Sequence, residues 1–186
     1  MTAPTTTTTG VTTWAIDGAH SIAEFSVKHM MVAKAKGRFG SFDGTIQWDQ
    51  ANLAASSVNI TIDIASINTN EPQRDGHLRS DDFFSAEQYP TATFRSTRIE
   101  PAGGDEFKVY GDLTIRDQTH PIVLDVELEG QVVDPYGLNR AGFEATTEIS
   151  RKQFGLNWNA LLETGGAVVA DKVKLVFHIE ATQQQG

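Results

Sequence analysis

Thr69-Asn70-Glu71-Pro72-Gln73-Arg74-Asp75-Gly76-His77-Leu78-Arg79-Ser80-Asp81-Asp82-Phe83-Phe84 interrupts a chain that otherwise alternates apolar and polar residues. Asn70 is a candidate N-cap, with Gln73 three positions on as its capping-box partner. Pro72 suits a first helical turn, where a missing N–H costs nothing. Asp75 and Arg79 are spaced i, i+4 and are expected to pair on the helix surface. The spacing predicts a helix from Asn70 to Ser80. A helix this short does not hold alone in water, and Phe83-Phe84 is the expected anchor. The segment reads as a short helix closing one end of a β-structure. A strand-to-strand excursion with solvated charges is the competing reading.

Before this stretch, Val58, Ile60, Ile62 and Ile64 alternate with Asn59, Thr61 and Asp63, the period of a half-buried strand. Ala23, Phe25 and Val27 alternate in the same way. Ala35 to Trp48 reads as one long strand containing Gly37, Gly40 and Gly44, where bends or close backbone approach are expected. Beyond the helix, Tyr89-Pro90 makes a corner and a strand runs from Thr91 to Ile99. Asp105 to Asp117 places Phe107, Val109, Leu113 and Ile115 on one face, and Gln118-Thr119 reads as the tight connection to the next strand. Ile122 to Val132, Phe143 to Ile149 and Val173 to Ile179 continue the alternation. Asp134-Pro135-Tyr136-Gly137 has turn chemistry. Lys152 to Ala170 breaks the pattern again, with Phe154, Trp158 and Leu161-Leu162. About eight strands with short turns imply an antiparallel meander. A sheet with one apolar face throughout must cover it by closing on itself or by pairing with a second sheet. The glycines sit where bends would be needed, so we expect an all-β, eight-stranded antiparallel β-barrel closed at one end by the helix.

The 186 residues suffice for one domain with a sizeable core. Residues 1–12, a threonine-rich run, are expected to be a disordered tail, residues 13–182 the barrel, and residues 183–186 a second tail. A net charge of −9 argues against a nucleic-acid partner and against docking on anionic membranes. With no cysteine, disulfides and thiol catalysis are excluded. No apolar run is long enough to span a bilayer. The N-terminus lacks the pattern of a signal peptide, so a cytoplasmic protein is expected unless a leader has been removed.

Candidate chemistry is sparse. His20, His29, His77 and His120 lack close metal-ligand spacing, and no metal or cofactor is expected. There is no GxSxG elbow for a Ser-His-Asp hydrolase and no phosphate loop or dinucleotide fingerprint. Asp81-Asp82 reads as a solvated pair. Phe83, Phe84, Phe154 and Trp158 fall outside strands, where they either plug the barrel ends or line the mouth of an apolar cavity.

Trp14-Ala15-Ile16-Asp17, Phe25-Ser26-Val27-Lys28-His29-Met30, Gly37-Arg38-Phe39, Arg74-Asp75-Gly76-His77-Leu78, Asp82-Phe83-Phe84, Tyr89-Pro90, Gly111-Asp112-Leu113-Thr114-Ile115 and Arg151-Lys152-Gln153-Phe154-Gly155-Leu156 together resemble the YceI-like family of lipocalin-like, polyisoprenoid-binding barrels. The resemblance runs from Trp14 to about Ala181. It implies an antiparallel barrel around a long apolar tunnel, with no established catalytic activity, and a homodimer. A long-chain amphiphile (polyisoprenoid, prenyl pyrophosphate or quinone-like lipid) is the expected partner, the protein acting as carrier or store. Together with their inward or mouth positions, this makes Phe25, Ile62, Phe83, Phe84, Leu113, Leu124, Phe143, Phe154 and Trp158 the expected lining. Arg74, His77 and Arg79 would orient a polar head. Two alternatives remain: an enzyme on an apolar substrate using His77, Asp75 and Arg74, and a binder of polyketide-like aromatic products.

Overall fold

The computed structural model describes residues 10–160 and 168–185. The expected tail over residues 1–9 and the Leu161-Leu162 pair lie outside them. The strands are β1 (Thr12–Ile16), β2 (Ile22–His29), β3 (Ala33–Phe39), β4 (Phe42–Trp48), β5 (Ser57–Asp63), β6 (Ile67–Asn68), β7 (Thr91–Gly103), β8 (Glu106–Ile115), β9 (Gln118–Val133), β10 (Asn139–Ser150) and β11 (Val169–Gln183), with one α-helix, α1 (Pro72–Arg79), between β6 and β7. Thr12 is thus already in the sheet, its hydroxyl donating to the Trp48 carbonyl at 3.0 Å.

All pairings are antiparallel, and β1, β4, β5, β7, β8, β9, β10 and β11 close into a ring of eight through the β1–β11 pair. Three strands of the meander are broken. β1 and β2 both lie along β11, one after the other. β3 pairs with β2 where β4 pairs with β1, and β6 continues β5. The stretch from Ala35 to Trp48 is therefore two strands, not one. The breaks are stitched sideways: Gly40 donates its N–H to Ser66 O at 3.2 Å, and Asp63 donates to Ser41 O at 3.0 Å. β2, β3 and β6 extend the wall past the ring, and among the described strands β6 pairs with β3 alone. α1 and the segment to Pro90 follow this edge.

The glycines of that region serve close approach. A Cβ on Gly37 would collide with the Phe25 ring, and one on Gly44 with Asn59 O. The β8–β9 turn is Arg116-Asp117, not Gln118-Thr119. Gln118 already pairs with Ile115, and Arg116 takes the left-handed conformation the turn needs, φ 56°.

The helix is also capped differently from the expectation. Asn70 has φ 61°, incompatible with the extended conformation of an N-cap. Glu71, at φ −141°, takes the role, its carboxylate accepting from Gln73 N at 3.1 Å and Arg74 N at 2.7 Å. Asp75 and Arg79 do not pair. Asp75 is buried and accepts from Thr69 N at 2.8 Å and Thr69 Oγ1 at 2.5 Å, while Arg79 donates to Ala65 O and Ile67 O at 3.1 and 3.0 Å. Both side chains serve backbone groups that sheet pairing leaves open, so α1 is latched to the β6 end of the wall.

Candidate functional site

Among the described residues, two apolar cavities lie in the barrel interior. The larger, about 270 Å³, lies at the α1 end. The smaller, about 70 Å³, lies toward the other end. Successive inward residues of β11 trace the axis: Val169, Val173 and Leu175 line the large cavity, Ile179 lines the small one, and Phe177 lines both. Among the described residues Phe177 is the side chain that the two cavities share, its ring meeting Phe42 edge-on at 6.5 Å. An eight-stranded barrel is just wide enough for side chains or one small ligand, and the Phe177 ring, packed on Phe42, stands where the two cavities meet.

The structure brings eight of the expected residues to the large cavity: Phe25, Ile62, Arg74, His77, Phe83, Phe84, Leu113 and Trp158. Leu124 and Phe143 line the small cavity instead. Phe154 lines neither; it is fully buried, its ring edge-on to His120 at 5.1 Å, so its role is to plug. Arg79 lines neither, being occupied by the two carbonyls of the α1 latch. The expected apolar interior takes the form of two cavities that adjoin at Phe177. Val173, Leu175 and Phe177 carried a legible signal, the alternation of the last strand.

Polar groups gather where α1 meets the cavity. Arg74 Nε donates to Thr69 Oγ1 at 2.8 Å and its Nη2 to Thr69 O at 2.9 Å. His77 stands edge-on to Trp158 at 4.6 Å and to Phe83 at 5.1 Å, and its Nε2 is 2.8 Å from Asp82 Oδ2. The His77 side chain is 37% exposed, which marks this end as the side open to solvent. Arg116 braces the mouth from outside, its Nη1 donating to Phe83 O and Gly155 O, each at 3.2 Å.

Arg151, a lining residue not anticipated from the sequence, is 3% exposed. Its guanidinium donates to four backbone carbonyls: Ala170 at 2.8 Å, Leu156 at 2.5 Å, Trp158 at 2.9 Å and Val169 at 3.1 Å. Burial lowers its pKa from the ordinary arginine value, and the charge of Asp171 opposes this. A guanidinium has five N–H donors, so Arg151 is a strut for the 154–158 segment more than a free cation. No periodicity or motif spacing announces such a role.

Away from the cavity, Asp17, His20 and Glu180 place potential ligand atoms within 4.8 Å of one another. Arg140 already supplies the positive charge there: its Nη1 reaches Glu180 Oε1 at 2.8 Å and Asp17 Oδ2 at 3.2 Å, and its Nε reaches Asp134 Oδ2 at 2.7 Å.

Comparison with known proteins gives a consistent picture. The family described as YceI-like domain matches residues 14–181. A UPF0312 protein of Vibrio cholerae is 42% identical over 167 residues, covering 90% of this chain and 84% of its own. The crystal structure of Burkholderia cenocepacia BcnA superposes with a TM-score of 0.79 at 30% identity, covering 90% of this chain and 99% of that one. A polyisoprenoid binding domain from Saccharophagus degradans, implicated in plant cell wall breakdown, superposes at 0.69 and covers 92% of this chain and 98% of its own; at 17% identity it shows the fold alone.

Proposed function

This chain belongs to the YceI-like family, and from that premise we propose that it is a carrier or storage protein for an amphiphile with a polyisoprenoid or quinone-like tail. The observation that carries the reading is the large cavity, lined mostly by apolar side chains, with Thr69, Arg74 and His77 gathered where α1 meets it and Arg151 already spent on backbone carbonyls. A tail buries against the strands and a polar head stays at α1.

Magnitudes decide how the affinity is divided. A cavity of about 150 Å³ accepts benzene, or ~25 Å³ per carbon. By that scale the large cavity encloses ~10 carbons, two isoprene units. At ~0.8 kcal/mol per carbon their burial is worth ~8 kcal/mol, of which association absorbs at least ~4. Micromolar binding needs about −8 kcal/mol. The head group must therefore contribute, through Arg74 and His77.

The test is calorimetric titration with prenyl alcohols and prenyl pyrophosphates of increasing length. Affinity should rise to about two isoprene units and then level off. Phe83→Asp, a charge in the lining, should abolish measurable binding. Arg74→Ala should weaken the pyrophosphates more than the alcohols. Absence of binding at every length would sink the carrier reading. The His77–Asp82 pair is the one observation favouring an enzyme, since a carboxylate-bound imidazole is a candidate base. Mass spectrometry of ligand before and after incubation decides: a carrier returns it unchanged.

A further inference from the structure

The β2–β3 hairpin closes on His29-Met30-Met31-Val32. Met30 and Met31 have φ of 53° and 60°, and Val32 donates its N–H to His29 O at 3.3 Å. Positive φ at both central positions is the type I′ pattern, for which Asn-Gly is the favoured pair. Two methionines there cost backbone energy, and they are not repaid by burial. Met30, Met31 and Val32 are 47%, 69% and 88% exposed. Strain held at an exposed apolar tip points to a use for the tip.

The flanks are cationic. Lys28 lies directly opposite Lys34 in the strand register, a like-charge pair that destabilises a sheet. Lys36 and Lys174 flank Ser26 on either side, and Arg38 and Lys172 extend the patch. All six side chains are exposed, and none is in an ion pair among the described residues. Acidic neighbours of the patch are Glu24, opposite Arg38, Glu148, opposite Lys174, and Asp171, whose carboxyl feels the charge of Lys172. Six of the chain's 15 lysines and arginines thus share one face of an acidic protein, so the net charge misdescribes this surface. The inner side of the same hairpin lines the large cavity through Val27, His29 and Ala35.

We propose that this hairpin docks the protein on an anionic lipid bilayer, with Met30, Met31 and Val32 at the boundary of head groups and acyl chains and the lysines on the lipid phosphates. A nucleic acid would use the lysines but has no use for the exposed tip. A second copy of the chain would bring like charges together. Docking sets the cavity wall against the membrane, so an amphiphile can pass between them without crossing water. That purpose rests on the carrier reading; the docking rests on the hairpin.

The experiment is co-sedimentation of the protein with vesicles of phosphatidylcholine alone and of phosphatidylcholine mixed with phosphatidylglycerol, at low and high salt. Binding is expected to the mixed vesicles and to fall with salt. Lys34→Gln and Lys36→Gln should each lower it about fivefold. Met30→Asn with Met31→Gly should abolish sedimentation while raising the thermal midpoint, because the turn then has its preferred residues. None of these variants should alter titration with a short prenyl alcohol in solution. Wild-type protein that stays in the supernatant overturns the proposal, as does an Asn-Gly variant that sediments like wild type. A change of mass in sedimentation velocity that accompanies loss of the tip without any vesicle binding assigns it to self-association and also overturns it. Vesicle binding without prenyl alcohol binding removes the carrier reading and leaves the docking surface standing.

Discussion

His20 and Asp17 show how one contact ties pKa to stability. The hydrogen bond that His20 donates to Asp17, then the charge of Asp17 and that of Glu180, raises His20 above the usual histidine value of 6.5. The bond to His20 chiefly lowers Asp17 below the usual 3.8. A raised histidine stabilises the fold fully below 6.5 and ceases to do so as pH rises through its folded pKa; a lowered aspartate does so above 3.8, until pH falls through its folded pKa. The pair therefore helps most between those limits, in mildly acidic solution. Asp17→Asn should bring the His20 pKa back toward 6.5, which proton NMR of the imidazole resonances would report. A His20 titration unmoved by the substitution would mean Glu180 governs it. The sequence offered His20 only as a scattered histidine and gave Asp17 no partner. Arg140, the cation between Asp17, Asp134 and Glu180, stands 123 residues from Asp17, beyond the reach of local spacing.

At the scale of elements, α1 was legible in outline and not in its contacts. Pro72 and the break in alternation located the helix, which runs from Pro72 to Arg79. The choice of cap turned on backbone conformation, because Asn70 and Glu71 both carry capping oxygens and only Glu71 is extended. Glu71→Ala should remove both cap bonds and cost about 1 kcal/mol. Hydrogen exchange should quicken over residues 70–84 and leave β5 protected. If β5 opens equally, α1 is part of the cooperative barrel and not a separately latched closure. Asp75, Arg74 and Arg79 all turn from each other toward residues 65–69. Spacing on a helix surface says which side chains can meet, but an unpaired backbone carbonyl or N–H nearby is the stronger claimant when it is shielded from water.

Across the whole molecule, the ring of eight strands divides at Phe177 into two compartments. Phe177→Ala removes six carbons of ring and opens the small cavity, adding room for ~9 carbons at ~25 Å³ each. The prenyl chain length at which affinity levels off should then move from about two isoprene units to about four. Calorimetry over a chain-length series checks this, with the thermal midpoint expected to fall as the ring's packing is lost. An unchanged plateau would show that the tail stops short of Phe177.

Alternation over Val58–Ile64, Phe107–Ile115 and Val173–Ile179 by itself determined that this chain makes long antiparallel strands with one apolar face, because the side-chain period of a strand is a local, backbone-imposed property. The need to cover that face left closure or a second sheet, and the glycines favoured closure. Only the tertiary structure decided that Leu124 and Phe143 face a different compartment from Phe25 and Trp158, that Phe154 plugs rather than lines, and that Arg151 is buried. Strand tilt and the breaks at residues 17–21, 40–41 and 64–66 set the height at which each inward residue stands along the barrel axis. That height depends on register between strands far apart in sequence, which no period of two encodes.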